Sequence, residues 1–512
     1  MTILKRVLLA CSAVVISACA AVGPDYVRPD SPLGPDWYEA EFARYDTTAE
    51  QQVLWWKNLG DPVLDELVDL AHRQNNNLQI AGLRVLESRA QLGIAVGNKY
   101  PQTQVVAGDA TAVQASKNAP NTAAGDLSFT QFNIGASASW EIDFWGKFRR
   151  GIESADAAYF ASVAGYDQAM ILVTAQVCST YLAIRTLEEQ VRITNDNIAI
   201  QQRSFDIVDV LFENGATSEL DVLQARTLLM ATKATLPSLQ TQLYQAKNAL
   251  ATLLGLPPSD LSDLLKGGSS IPRVPEKLAI GLPADLLRRR PDVRQAEYLA
   301  MAQNAQVGMA EANLYPSFSL TGSLGLTAAG NTDTTRTGNS GFGELFSGDS
   351  LTYAVGPTFV WPFLNYGRIR NSVRVQDARL QQSLVAYRET VLQAAREVED
   401  ALVALEGAVR QDELLAITVD SARRSSDVAQ LRFNEGFADY QRVLDAQQSL
   451  FTQQARYVAN YSSIASSFIA LYLALGGGWE LRDAADMIDA QTLEMMQERT
   501  NWGDLIEEET EQ

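Results

Sequence analysis

The chain has 512 residues, with 41 Lys and Arg against 61 Asp and Glu, a formal net charge of −20, and a hydrophobic content of 46%. That charge excludes a nucleic-acid binder, which needs a basic face, and that apolar content excludes a disordered chain. One histidine, His72, and three cysteines leave no basis for histidine-driven catalysis or a His/Cys metal site, and no disulfide framework. A large acidic binding or structural device is therefore expected, not an enzyme.

The chain opens with a basic pair, Lys5 and Arg6, and an apolar run from Val7 to Ala18. This is the form of a signal peptide over 1–18 and is too short to span a bilayer. The run ends Ile16-Ser17-Ala18-Cys19, a bacterial lipoprotein cleavage box in which Cys19 is acylated; a plain signal peptide is the alternative. Ala20 after the cysteine points to delivery to the outer membrane. A single acyl chain binds a membrane only reversibly, so stable anchoring needs more chains or a membrane-inserted element. No later window has about twenty continuous apolar residues, so only β-strands are expected to enter the bilayer. Residues 19–60, with Trp37, Trp55 and Trp56, read as an extended lipid-anchored segment, and Cys178 as a small core residue.

The remainder reads as one unit written twice, over 61–266 and 276–478. Ala90-Gln91-x-Gly93-x-Ala95 with Tyr100-Pro101 recurs as Ala305-Gln306-x-Gly308-x-Ala310 with Tyr315-Pro316. Trp140, Trp145-Gly146-Lys147 and Arg149 recur as Trp361, Tyr366-Gly367-Arg368 and Arg370; Phe212-x-x-Gly215 recurs as Phe433-x-x-Gly436. Such ordered self-similarity marks a tandem duplication.

Each unit begins with a helix (76–98 and 284–313) followed by a strand pair, about 102–115 and 129–143 in the first unit and about 317–327 and 351–363 in the second. Ile134, Ala136, Ala138, Trp140 and Ile142 alternate with Asn133, Gly135, Ser137, Ser139 and Glu141. Period-two patterning of this length, apolar against small-polar, fits a membrane barrel strand with a wet lumen; a half-buried strand of a soluble sheet has the same alternation but is shorter. Helices follow over about 146–213 and 218–254, then 367–434 and 439–475. Their apolar positions alternate spacings of three and four, the seam of a coiled coil. The first would be about 100 Å long at 1.5 Å per residue. Each long helix ends at a glycine, Gly215 or Gly436, as a C′ glycine should. Pro237 is expected to kink or split the first return helix. The tail, 479–512, is acidic and is read as either packed at the equator of the molecule or disordered.

Four strands cannot close a barrel, for which about eight is a working minimum, and open edges are not tolerated in lipid. At least two chains, three in preference to two, must share one barrel continued by a hollow helical barrel.

These residues resemble the TolC-like outer-membrane efflux proteins, in particular the lipoprotein branch serving resistance–nodulation–division pumps. The resemblance is carried by the lipobox at Cys19, Gly23-Pro24-Asp25-Tyr26-x-Arg28-Pro29, Trp55-Trp56 with Asp61-Pro62, Phe144-Trp145-Gly146, Arg290-Pro291-Asp292-Val293 and the 433–448 tip. It implies an α+β membrane protein: a homotrimer with a twelve-stranded transmembrane β-barrel, four strands per chain, and an antiparallel coiled-coil α-helical barrel crossing the periplasm. The implied partners are a periplasmic adaptor, an inner-membrane efflux pump and outer-membrane lipid; no nucleic acid and no cofactor is implied beyond the covalent lipid on Cys19. The implied function is a passive exit duct for drugs or small toxic solutes, gated at the periplasmic helical tips. On this resemblance Asp445 lines the closed end, once per protomer. Gln441 stands where relatives carry a bulky apolar constriction residue, and Gln448 where they carry arginine. Asp221, at the repeat position of Arg442, is expected to oppose that arginine in the resting state. The turns with Phe212, Gly215, Phe433 and Gly436 are the implied adaptor-docking tips. A secretion duct for proteins or peptides, or a periplasmic coiled-coil lipoprotein, are the rival readings.

Overall fold

The computed structural model describes residues 21–30, 33–34, 37–38, 45–46, 53–118, 127–259, 261–268, 271–280, 289–331, 341–481 and 487–507. Cys19 lies outside the described residues. The chain divides into two units: Met1–Pro29, Glu87–Phe160 and Glu297–Val385 form one, and Asp30–Leu86, Ala161–Ala296 and Ala386–Gln512 the other.

The first unit is built on a four-stranded antiparallel sheet of β2 (Thr103–Gln114), β3 (Ser128–Ile142), β5 (Ser317–Asn331) and β6 (Leu351–Val360), in the order β2-β3-β5-β6. The register aligns like with like. Ile134, Ala136, Trp140 and Ile142 sit opposite Leu326, Leu324, Leu320 and Phe318, while Ser137 and Ser139 sit opposite Ser323 and Thr321. A one-residue slip would exchange the two faces, so the patterning holds the register. β6 ends at Val360, short of the expected 363, because Pro362 cannot donate to a ladder; β5 runs on to Asn331, past the expected 327.

Residues 21–25 are strapped onto this unit. Val22 N–H donates to the Trp145 carbonyl at 2.9 Å, and the buried Arg150 guanidinium donates to Val22 O and Gly23 O, each at 3.2 Å, and to Asp25 at 2.8 Å. Gly23, at φ +94°, lies against Gly308 so closely that a Cβ would strike the Gly308 backbone. This contact explains a glycine at both positions.

Helices form the second unit and part of the first. α1 (Pro62–Gln74) and α2 (Asn76–Gly97) precede the sheet; α3 (Lys147–Glu213) and α4 (Glu219–Leu253) follow β3. After the short β4 (Leu278–Ala279), which pairs in parallel with β1 (Tyr45–Asp46), come α5 (Pro291–Ala312), α6 (Arg368–Asn434) and α7 (Tyr440–Leu475). α4 runs through Pro237 as one helix, so of the kink or split expected there the split does not occur. Pro237 is exposed, so its ring stays clear of the core, and packing along the rest of α4 outweighs an intrinsic cost of about 3 kcal/mol. The second short helix, α5, starts at Pro291, the position where a missing N–H costs nothing; the expected start at 284 falls within 281–288, outside the described residues.

The N-terminal segment is not extended throughout. Trp55–Leu59 forms a 3-10 turn that buries Trp55 and Trp56 completely in the main core. Trp55 stacks on Tyr472 of α7 with ring centroids 5.5 Å apart. Asp61 caps α1 through the Val63 N–H at 3.0 Å and accepts from the Tyr181 hydroxyl of α3. His72 hydrogen-bonds Thr174 at 2.7 Å, and burial lowers its pKa, so it is a neutral packing residue. Two helices, α3 and α7, hold windows apolar enough to cross a bilayer, but 67% and 56% of these windows is buried within the chain, which makes them core. The tail carries α8 (Ala490–Arg499) and α9 (Asp504–Glu507); Met487 and Ile488 are buried, with the Met487 carbonyl directly over Gly82 of α2.

Along α3 and α7, buried polar pairs alternate with apolar layers. Thr186 donates to Ser462 at 2.9 Å, Asn197 to Gln454 at 2.7 Å, and Ser204 lies 3.1 Å from the Tyr440 hydroxyl. Each pair is satisfied only in one axial register, which is how polar core residues specify alignment.

Candidate functional site

The sheet leaves its apolar face uncovered. Leu324 is 57% exposed, Tyr353 77%, Val355 75% and Phe359 68%, though all are large apolar residues on one face. In water this would be an aggregating surface; in lipid it is solvated. The band fits a bilayer. From Phe132 to Ile142 is ten steps along β3, about 33 Å of strand, which at the tilt of about 40° found in closed barrels becomes about 25 Å of height. The opposite face carries Asp109, Asn133, Ser137, Ser139, Glu141, Ser319, Thr321 and Ser323. Asn133 donates to Asp109 at 3.1 Å across β2 and β3. One face is thus built for lipid and the other for water, and β2 and β6 each leave an edge unpaired within the chain.

The second region is the pair of helix turns at Phe212–Thr217 and Phe433–Ala438. Both are Schellman closures. Gly215 N–H bonds to Phe212 O and Ala216 N–H to Leu211 O; Gly436 and Phe437 repeat this with Phe433 and Arg432, at 2.8–2.9 Å throughout. Gly215 and Gly436 have φ of +71° and +76°, the left-handed conformation the closure demands.

Between the turns lies a small separate core. Val208 of α3, Val222 and Ala225 of α4, and Tyr440, Val443 and Leu444 of α7 pack together, with Phe205, Leu228, Ala429 and Phe433 around them. The chain's two hairpins are therefore fastened to each other at their ends. Phe433 and Phe212, equivalent in the repeat, differ here. Phe433 lies 5.1 Å from the Tyr440 ring and is half-buried, whereas Phe212, whose counterpart to Tyr440 is Glu219, is 41% exposed. Exposed apolar surface at the tips comes instead from Phe212, Leu220, Leu223 and Phe437, the last 73% exposed. Of these, Leu220 was not expected from the sequence; its apolar side chain at the second residue of α4 was the available signal.

Asp445 and Gln441 are both exposed one turn apart on α7, with Gln441 donating to Asp445 at 2.9 Å. Asp221 does not meet Arg442 within the chain. It closes a capping box at the start of α4, accepting from Thr217 and Ser218 hydroxyls at 2.7 Å each, while its own N–H donates to Ser218. Burial pushes the Asp221 carboxyl up, but these hydrogen bonds outweigh it and leave the group below the ordinary carboxylate value. Arg442 occupies the same N3 position on α7, where a cation cannot form that box, and no ion pair involves it among the described residues. Arg442 lines a groove with Arg432, Phe437 and Asp445. No cluster of His, Cys, Asp and Glu among the described residues is arranged to hold a metal ion.

The chain matches the sequence profile of the outer membrane efflux protein family over residues 67–256 and 282–477. It is 31% identical to the pyoverdine export outer membrane protein OpmQ of Pseudomonas putida, across 94% of this chain and 99% of that one. It is also 31% identical to the toluene efflux pump outer membrane protein TtgF of Pseudomonas putida, across 91% and 95%. The structure of the outer-membrane channel OprN superposes with a TM-score of 0.83 at 30% identity, covering 90% of this chain and 100% of that one.

Proposed function

The chain belongs to the outer membrane efflux protein family, and we propose that three copies join β6 of one protomer to β2 of the next, closing a twelve-stranded barrel. The protein is the outer-membrane exit duct of a tripartite efflux pump, receiving solute from an inner-membrane transporter and a periplasmic adaptor. The observation that carries the proposal is the four-stranded sheet with two free edges, one lipid-compatible face and one wet face. Four strands per chain and a barrel minimum of about eight demand more than one copy, and three give an ordinary barrel size.

The duct is passive. Its wet face sets Ser, Thr and Asn side chains beside Asp109 and Glu141, a surface built for water, and chains in whose names pyoverdine and toluene appear match this one at the same 31% identity. Substrate choice therefore rests with the pump upstream. The gate is the tip core of Val208, Val222, Tyr440 and Val443, which holds the two hairpins together at rest. Asp445, contributed three times around the axis, forms an acidic ring that favours cations. The exposed tip residues Phe212, Leu220, Leu223 and Phe437 dock the adaptor, and Arg442, which makes no ion pair among the described residues, pairs with an acidic group of a neighbouring protomer or the adaptor. Cys19 carries lipid that supplements the barrel as anchor.

The test is purification from outer membranes, mass determination in detergent and conductance in planar bilayers, with a gene deletion scored on a panel of toxic compounds. A monomer or dimer in detergent would overturn the trimer, and unchanged sensitivity across the panel would overturn the efflux role.

A further inference from the structure

The two repeats place basic residues where strand passes into long helix, and then treat them differently. In the first repeat Lys147 meets Glu141 and Arg149 meets Asp143, each at 3.3 Å. At the equivalent positions of the second repeat stand Arg368 and Arg370, but Glu141 and Asp143 are replaced by Pro362 and Leu364. The cations are kept and their acids are gone. Arg374, one turn on, reaches only the Asn371 side-chain oxygen, at 3.1 Å. Among the described residues Arg368, Arg370 and Arg374 make no ion pair, in a chain of net charge −20 where acids are in excess.

The direction in which they project follows from helix geometry. Arg368 and Ser372 line a cavity of about 320 Å³ together with Glu141 and Ser317 of the polar face of the sheet and with Ile142, Asp143 and Phe144 at the end of β3. At 100° per residue, Arg370 and Arg374 each lie about 160° around α6 from Ser372. They are therefore on the side of the apolar face, immediately beyond the end of β6. There Trp361 is 51% exposed, Phe363 68% and Tyr366 97%. An aromatic collar with arginines just outside it is the arrangement of a membrane boundary, where rings lie at headgroup depth and guanidinium forks match phosphate.

Resting on the reading that the sheet spans the outer membrane, we propose that Arg370 and Arg374, with Trp361, Phe363 and Tyr366, bind the phosphate headgroups of anionic phospholipids in the periplasmic leaflet. The first repeat, with its basic residues neutralised internally, lacks the site, so each chain carries one. The lipid is held by charge at the arginines and by ring contact with its glycerol and upper acyl region.

Native mass spectrometry of the detergent-solubilised full chain, titrated with phosphatidylglycerol or phosphatidylcholine, tests this. Phosphatidylglycerol should bind more tightly, with a preference that weakens as salt rises. Arg370→Gln and Arg374→Gln should each lower phosphatidylglycerol affinity about five-fold and leave phosphatidylcholine unchanged, while Arg388→Gln, further along α6, should change neither. Equal phosphatidylglycerol binding by the double variant overturns the proposal. So does a double variant that dissociates into protomers before losing lipid, because the arginines would then face a neighbouring subunit. Resistance to carbonate extraction reports the membrane reading separately: a chain released by carbonate ends that reading, and a chain retained in the membrane but indifferent to phosphatidylglycerol ends only this one.

Discussion

Tyr440 is the residue through which the closed tip can be measured. It is 3% exposed, its ring packs on Phe433, and its hydroxyl lies 3.1 Å from Ser204 Oγ of the other hairpin. Tyr440→Phe keeps the ring and removes one hydrogen bond. Ser204 retains Gln430 as an acceptor at 3.1 Å, so the cost is that of a single satisfied bond, about 1 kcal/mol. Tyr440→Ala also removes a buried aromatic ring from a core with six buried members among the described residues, at about 3–5 kcal/mol. If opening separates the hairpins, these energies are lost from the closed state alone. The closed-to-open ratio should then fall about five-fold for Tyr440→Phe and more than a hundredfold for Tyr440→Ala. Single-channel recording in planar bilayers reads this directly as open probability, with thermal unfolding in detergent as companion. Ser204→Ala combined with Tyr440→Phe should cost less than the sum of the two, since both delete the same bond. The reasoning is refuted if Tyr440→Ala lowers the melting temperature while open probability stays at the wild-type value: the cluster would then stabilise the tip without closing it.

Further outcomes follow from the same geometry. Asp221→Ala should destabilise the tip by about 1 kcal/mol through loss of the capping box, measured by thermal unfolding. Because the folded pKa of Asp221 lies below its ordinary 3.8, its contribution is fully present above that pH and lost as pH falls through the folded value, so wild type and variant should converge only in acid. Gly436→Ala, at φ +76° with open space around it, should cost about 1 kcal/mol from left-handed strain alone. Gly407→Ala, in the interior of α6 and equally unobstructed, should instead gain about 0.5–1 kcal/mol, and urea unfolding of both variants separates backbone strain from packing. Trp55→Ala should cost about 3–5 kcal/mol and loosen α7 from the N-terminal segment, seen as faster amide exchange at Phe468 to Leu475. Cys19→Ser should abolish incorporation of labelled palmitate yet leave the protein in the carbonate-resistant outer-membrane fraction, because the strands hold it there; release of the variant would show that lipid is the principal anchor.

The sequence by itself determined the elements and their doubling. Alternation at Ile134–Ile142, threes and fours along α3 and α6, and glycines at 215 and 436 are properties of single segments, since a strand or helix exposes its period whatever it packs against. The open edges of β2 and β6, and so the need for further copies, followed from counting strands. What tertiary structure alone decided was which surfaces meet. Asp221 and Arg442 hold equivalent places in the repeat, but within one chain a serine three residues before Asp221 hydrogen-bonds that carboxylate locally, and no serine stands at the equivalent place before Arg442. Phe212 and Phe433 share a motif, yet only one has a tyrosine beside it to pack on. Trp55 and Trp56 sat in a stretch read as extended; the five-residue 3-10 turn that carries them is too short to show a period and takes its structure from the core it covers. Duplication copies a pattern of propensities; it does not copy the neighbours, and the free energy of a side chain is set by its neighbours.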